Sequence, residues 1–293
     1  MKKICTLLFL CTFALYAQRG QLLLHTEKNS SWTGKVERAS GELHRKGKGP
    51  CFVLYGGYPT ALNYKDLIAV SPEKAYILKA SFRSLDPKLP ASAYLGVDVF
   101  DKEKRRIGYC NVQVLYHTDS RVVSAKKGEK FLTIRKFEMK KKIGRFRVAF
   151  HTRKDYSDIP NFDLSPICKS LKEDENGNFR IELSQPLQQG YKEGTPVRLH
   201  SPWNPGMYYL APGWVPAGNG EERIVRLQGV NPHAGATGGR NGVFHFWKGT
   251  AYVRPFIWFG NWNRLPKKGA KLLVDGFSME EVSVSQKVPQ GKK

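Results

Sequence analysis

"KAYILKASF" (residues 74–82) and "AYLGVDVF" (residues 93–100) are the two stretches that decide the fold class. In the second stretch Leu95, Val97 and Val99 alternate with polar, aromatic and glycine positions. Such alternation is typical of a β-strand with one face buried and one face open. The first stretch is rich in the β-branched and aromatic residues that favour strands. Both therefore predict strands of a sheet with a core on one side.

Similar short runs recur along the chain, and helical patterns are few. Conspicuous turn sequences such as "DENGN", "PAGNGEE" and "ATGGRNG" separate these runs. Many short strands at this spacing predict an all-β protein built as an antiparallel sandwich or jelly roll. The further predicted strands are "GYCNVQVLYH" (108–117), "FRVAFH" (146–151), "NFRIELS" (178–184), "TPVRLH" (195–200), "TAYVRPFIWF" (250–259) and "AKLLVDGFSMEEVSV" (270–284).

Three stretches carry a resemblance to a known family. "SPEKAYILKASFRS" followed by "AYLGVDVFDKEKRRI" resembles the paired central strands of jelly-roll carbohydrate-binding modules, and "AKLLVDGFSMEEV" resembles their closing strand. The resemblance implies a jelly-roll β-sandwich with a carbohydrate ligand. It also implies a structural calcium near the closing strand, where Asp275 matches an expected aspartate and Glu42 offers a second oxygen ligand.

The middle of the chain departs from this pattern. Residues 124–200 contain short strands joined by sequences such as "LQQGYKEGTPV", which predict a small β-barrel-like subdomain. This segment resembles a β-subdomain inserted into the jelly roll of some secreted bacterial proteins. We therefore expect a discontinuous sandwich, 19–123 plus 201–286, carrying the insert and ending in a disordered tail, 287–293. Two sequential domains are the alternative.

The amino terminus predicts export. Lys2 and Lys3 precede the apolar run "ICTLLFLCTFALYA", which has the length of a signal-peptide core and is too short to span a membrane. Cleavage after Ala17 makes residues 1–17 a signal peptide and places the protein outside the cell, in the periplasm or at the cell surface.

The cysteines form no recognisable framework. After cleavage three remain, Cys51, Cys110 and Cys168, an odd number without the spacing of a metal site. Buried free thiols are the favoured interpretation, and one disulfide among the three is the alternative.

The formal net charge of +23 favours anionic partners. Outside a cell these are acidic polysaccharides, cell-wall polymers and lipid headgroups. Inside a cell the corresponding anionic partner would be nucleic acid, but the sequence contains no nucleic-acid recognition motif. The lysine-rich run 126–142 is compatible with a basic amphipathic strand or a short helix, and a solvated edge is the favoured interpretation.

"HFWKGTAYVRPFIWFGNWNR" (245–264) holds three of the six tryptophans and no acidic residue. With Val253 and Ile257 directed to the core, alternation directs Arg254 and Trp258 to the opposite face. If the core is shared with 93–100, Tyr94 and Asp98 lie on that same face. Aromatic rings stack on the C–H faces of sugars while Arg and Asp bond their hydroxyls or carboxylates. Simple packing of the aromatic rings is the alternative.

A second aromatic cluster lies in the loop sequence "SPWNPGMYYLAPGW" (201–214), and loops at the end of a sandwich often carry binding groups. The predicted carbohydrate-binding residues are Tyr94, Asp98, Trp203, Tyr208, Tyr209, Trp214, Tyr252, Arg254, Trp258 and Trp262.

Catalytic patterns are mostly missing from the sequence. It has no H-E-x-x-H or G-x-S-x-G motif, and no pair of carboxylates stands out for a glycosidase. A polysaccharide lyase needs a Tyr or His base with Arg or Asn neutralising a uronate carboxylate. Its candidates are Tyr116, His117, His245, Arg254 and Asn261.

The sequence thus predicts a secreted, non-catalytic protein that binds an anionic polysaccharide. A lyase on the same scaffold and a structural or adhesive surface protein are the alternatives.

Overall fold

The structure, a computed structural model, describes residues 21–25, 32–33, 37–38, 51–56, 60–85, 91–138, 143–203, 207–209, 214–215, 221–230, 243–260 and 268–285. The regular secondary structure in this part of the chain is nearly all β-strand, and this part contains no helix long and apolar enough to cross a membrane. The predicted signal peptide and carboxy-terminal tail lie outside it.

The helix α1 spans Tyr109–Val112. In chain order the strands are β1 (Gln21–His25), β2 (Trp32–Thr33), β3 (Glu37–Arg38), β4 (Cys51–Tyr55), β5 (Thr60–Tyr64), β6 (Ile68–Ala69), β7 (Ala75–Ser84), β8 (Ala91–Phe100), β9 (Ser120–Ser124), β10 (Phe131–Ile134), β11 (Arg147–Phe150), β12 (Cys168–Glu173), β13 (Phe179–Leu183), β14 (Pro196–His200), β15 (Met207–Tyr209), β16 (Trp214–Val215), β17 (Glu221–Val230), β18 (Val243–Phe246), β19 (Tyr252–Phe259) and β20 (Lys271–Val282).

Two of the three sheets face each other. The first sheet has the order β18-β17-β7-β20-β4-β3, with β1 on β20. The second has the order β15-β8-β19-β5-β2, with β16 on β8 and β6 on β19. One hydrophobic core contains inward side chains from both, for example Leu78 and Val274 from the first sheet and Val97 and Ile257 from the second. The prediction of an all-β sandwich is confirmed.

The third sheet contains the strands between residues 120 and 200, in the order β11-β14-β9-β10-β13-β12. It has a hydrophobic core of its own, which includes Ile134, Phe150 and Ile181. The division into domains at residues 124 and 200 stays a prediction.

No closed barrel is detected among the described residues, so the expected barrel-like closure of the insert is not found. The end strands β11 and β12 meet only through isolated bridges, where Cys168 N donates to Phe146 O at 2.7 Å and Ser165 N to Val148 O at 2.8 Å. Pro166 lies between these two donors. Because proline has no N–H, it interrupts the ladder that would join the end strands.

The predicted strand 108–117 is wrong: Tyr109–Val112 is helical, and Val114 forms only an isolated bridge, with His200. The Asn111 side chain accepts a hydrogen bond from Gly108 N at 2.6 Å, and Asn111 N donates to Gly108 O at 2.9 Å. These local bonds close a turn and compete with strand pairing. In the lysine-rich run 126–142, by contrast, the strand alternative is right for Phe131–Ile134, which pairs with β9 and β13 and is not at an edge of the sheet.

Cys110 and Cys168 are both buried, in agreement with the favoured interpretation for these two cysteines. Burial raises the pKa of Cys168 to about 12, so this thiol stays protonated and unreactive near neutral pH. The side chain of Cys51 lies outside the described part of the molecule.

The third sheet is attached to the sandwich where the chain leaves it and returns. Ser201 N donates to Gln113 O, and Leu115 N donates to Leu199 O, both at 2.9 Å. At the same joint His200 Nδ1 lies 2.8 Å from Cys110 O, so Nδ1 carries the proton. Within the described residues the buried Nε2 of His200 has no hydrogen-bond partner.

Burial, together with the nearby charge of Arg198, lowers the pKa of His200 to about 4. Arg198 is itself fully buried, and its Nη2 donates to Asp158 Oδ2 at 2.8 Å. Burial alone would raise the pKa of Asp158. Hydrogen bonds from Arg153 N and Asn161, together with the Arg198 charge, outweigh burial and hold that pKa below its ordinary value. The joint therefore combines a paired buried arginine with a neutral buried histidine.

Candidate functional site

Strands β8 and β19 bring the predicted binding residues together. They pair antiparallel, with Arg254 opposite Asp98 and Trp258 opposite Tyr94. Val253 and Ile257 lie in the sandwich core with the valines of β8, as alternation predicted. The four residues therefore share the face of the second sheet that points away from this core.

An ion-pair cluster occupies the centre of that face. Arg254 Nη2 donates to Asp98 Oδ2 at 2.6 Å, and Arg106 Nη2 donates to Asp98 Oδ1 at 2.9 Å. The Asp98 side chain is 1 % exposed, whereas those of Arg254 and Arg106 are 31 % and 44 % exposed. One buried carboxylate thus orients two guanidinium groups whose outer parts reach solvent. The cluster keeps an excess of one positive charge.

The expectation that Asp98 itself faces solvent is wrong. Both of its carboxylate oxygens are engaged by arginines, which also cover it. Asp98 is therefore placed to position the cations rather than to contact a ligand. A hydrogen-bonded carboxylate locks the planar guanidinium in one orientation, which favours bidentate recognition of a second anion on its free edge.

Arg106 was not anticipated from the sequence. The turn after β8 folds back because the Asp101 carboxylate accepts from Arg105 N and from Arg105 Nε, both at 2.8 Å. Phe100 and Arg106 then form an antiparallel bridge, which places Arg106 beside β8. The sequence feature that could have indicated Arg106 is the turn "DKEKRR" (101–106), which begins with an aspartate. The backbone geometry of this turn decides which of its basic side chains lies beside β8.

The aromatic part of the face is partly covered. Tyr94, Tyr252 and Trp258 are half-buried, while Phe256 is fully buried on the same side of β19. The Arg254 guanidinium lies over the ring of Phe100 at 5.3 Å. The face therefore offers ring edges and cations rather than a fully open aromatic plane.

The second predicted aromatic cluster is described only in part. Trp203, which follows β14, is 66 % exposed. The backbones of Tyr208 and Tyr209 pair with Val97 and Gly96 of β8, and Trp214 pairs with Ser92. The side chains of these last three aromatic residues lie outside the described part, as does all of Trp262. The loop thus supplies one confirmed exposed tryptophan.

The predicted lyase residues are distributed over different elements. Tyr116 is half exposed and His117 has a positive φ of 62°, and both follow α1. His245 lies on β18 of the first sheet, with Nδ1 2.8 Å from Gln228 O, whereas Arg254 lies on the second sheet. No contact between these four joins them in the described structure, and Asn261 lies outside it.

The expected calcium site lacks a ligand set in the residues described. Asp275 is buried in β20, and its Oδ1 has no hydrogen-bond partner within the described ranges. No group of three or more His, Cys, Asp or Glu side chains that could hold a metal occurs in those ranges, and Glu42 lies outside them. Calcium takes six to eight oxygen ligands, so Asp275 by itself does not fit it.

A comparison of the chain with models of protein families found no match, and a comparison with curated proteins found none either.

Proposed function

We propose that this protein is a secreted carbohydrate-binding protein that recognises an anionic polysaccharide through the outer face of β8 and β19. The observation that carries the proposal is the pair Arg106 and Arg254, held on the buried carboxylate of Asp98 in register with Tyr94 and Trp258.

The chemistry of this face suits an acidic sugar. Two oriented guanidinium groups with one shared counter-charge attract a carboxylate or sulfate and bind it through paired N–H donors. The half-buried rings of Tyr94 and Trp258 offer apolar edges against which a pyranose packs. The net charge is +23 for the full chain and +21 once Lys2 and Lys3 are removed with the signal peptide, and it adds long-range attraction toward a polyanion.

Affinity electrophoresis in gels containing polygalacturonate tests the proposal. The variant Arg254→Lys keeps the charge but loses the planar fork, so we expect clearly weaker retention. Arg135→Gln is the control, because Arg135 is exposed on the third sheet and its loss removes a charge without touching the face. Equal retention of Arg254→Lys and the native protein, with weaker retention of Arg135→Gln, would mean that total charge alone explains binding.

The same polymer also separates binding from lyase activity. A lyase generates an unsaturated uronate that absorbs in the ultraviolet. We expect no increase in absorbance on prolonged incubation. A steady increase that Tyr116→Phe abolishes would replace the binding proposal with the lyase alternative.

A further inference from the structure

A cleft of about 460 Å³ lies at the joint between the sandwich and the third sheet. Its walls include Tyr109, Gln113, Arg145, Ser201 and Trp203. Pockets that hold small ligands typically measure about 300–1,000 Å³, so the cleft has room for a short oligosaccharide.

The walls come from chain segments that are firmly tied together. Gln113 N donates to Tyr109 O at 2.8 Å, and Ser201 N donates to Gln113 O at 2.9 Å. Arg147 Nε reaches Pro202 O at 3.4 Å, next to Trp203. One backbone hydrogen bond therefore joins the two connections of the third sheet at the cleft, and the Arg147 side chain adds a further bond beside Trp203. A preformed site of this kind loses little entropy when it orders a ligand.

The side chains in the cleft suit an acidic saccharide. Trp203 is the most exposed large hydrophobic side chain of the described residues and offers a ring for stacking. Arg145 is exposed and makes no ion pair with any described residue, so its guanidinium is available for a carboxylate. Gln113 and Ser201 add an amide and a hydroxyl for sugar hydroxyls. Burial raises the pKa of Tyr109, which keeps its phenol a hydrogen-bond donor.

We propose that this cleft is a second binding site, separate from the face of β8 and β19, that takes a short carboxylated oligosaccharide with Trp203 stacked on a sugar ring and Arg145 paired with its carboxylate. The inference rests on the proposed function for the choice of ligand class. It adds a site at which the sandwich and the third sheet hold the ligand jointly.

Calorimetric titration of the full protein with trigalacturonate tests the inference, with maltotriose as the uncharged comparison. We expect Trp203→Ala to weaken trigalacturonate binding about tenfold and Arg145→Gln about fivefold. Arg135→Gln, a matched loss of charge on the third sheet, is expected to leave the affinity unchanged. Because Trp203 and Arg145 are exposed, the variants are expected to keep the native melting temperature.

The outcomes separate the two proposals. If Trp203→Ala and Arg145→Gln bind trigalacturonate as tightly as the native protein, the cleft is not a site, whatever Arg254→Lys does to polymer retention. If both cleft variants lose binding while Arg254→Lys retains polygalacturonate normally, the cleft stands and the β8–β19 proposal fails. Absence of trigalacturonate binding by the native protein, or equal binding of maltotriose, overturns the inference.

Discussion

Acidification is expected to destabilise the protein through His200. In the folded state its pKa is lowered to about 4, whereas an unfolded histidine titrates near 6.5. Because the folded pKa is the lower one, the unfolded state binds the proton first. The stabilising contribution is therefore complete above pH 6.5 and is lost as the pH falls toward 4.

The size of the effect follows from the difference between the two pKa values. A fall from the ordinary value of about 6.5 to about 4 corresponds to about 3 kcal/mol of unfolding free energy, reached below pH 4. At pH 5 the loss is already about 2 kcal/mol, since the unfolded histidine is almost fully protonated and the folded one is still neutral.

Urea unfolding of the native protein and of His200→Gln, at half-unit steps from pH 7.5 to 4.5, measures this loss. The glutamine does not titrate, so subtracting its curve removes the contributions of the carboxylates. We expect His200→Gln to be less stable than the native protein at pH 7.5, because a fitted buried side chain is replaced. The difference between the two proteins should then shrink by about 2 kcal/mol by pH 5. Parallel curves from pH 7.5 to 5 would refute the assignment of a neutral buried histidine at the joint.

Three further changes test other parts of the structure. Asp98→Asn is expected to lower the unfolding free energy by about 1–2 kcal/mol, because two partly exposed arginines lose their shared counter-charge. It is also expected to weaken polygalacturonate retention, although the net charge becomes more positive. Stronger retention would contradict a positioning role for Asp98. Arg198→Met leaves Asp158 buried without its partner and is expected to cost about 3–5 kcal/mol in urea unfolding, and a loss below about 1 kcal/mol would contradict the paired arrangement. Cys168 should remain unlabelled by iodoacetamide at pH 8 in the folded protein and react once unfolded, as followed by peptide mass spectrometry; rapid labelling of the native state would show that the thiol is accessible.

The residues on the outer face of β8 and β19 could be predicted because side chains along a strand alternate between its two faces. Once Val97 and Val253 are assigned to one core, Asp98 and Arg254 must lie on the other face, and the register placed them directly opposite each other. The burial of Asp98 was not predictable by this reasoning. It depends on Arg106, whose return to the sheet is set by hydrogen bonds within one turn.

Sequence reasoning failed where a local side-chain bond or a tertiary contact decided the outcome. Asn111 closes a turn inside a run that otherwise reads as a strand, because its amide bonds Gly108 N. The cleft beside Trp203 joins residues 113, 145 and 203, which are distant in the sequence. Only the packing of the third sheet on the sandwich brings them together.

The side-by-side connections at Gln113 and Ser201 bring together the two ends of the segment that contains the third sheet. Their backbones already lie within one hydrogen bond, so a linker of a few residues would rejoin the sandwich without stretching it. Val114 and Ile159 of that segment belong to the sandwich core, so removing the segment would open that core and lower the unfolding free energy of the remaining sandwich. A graft of residues 114–200 onto another sandwich would therefore need apolar partners for Val114 and Ile159 as well as two adjacent points of attachment.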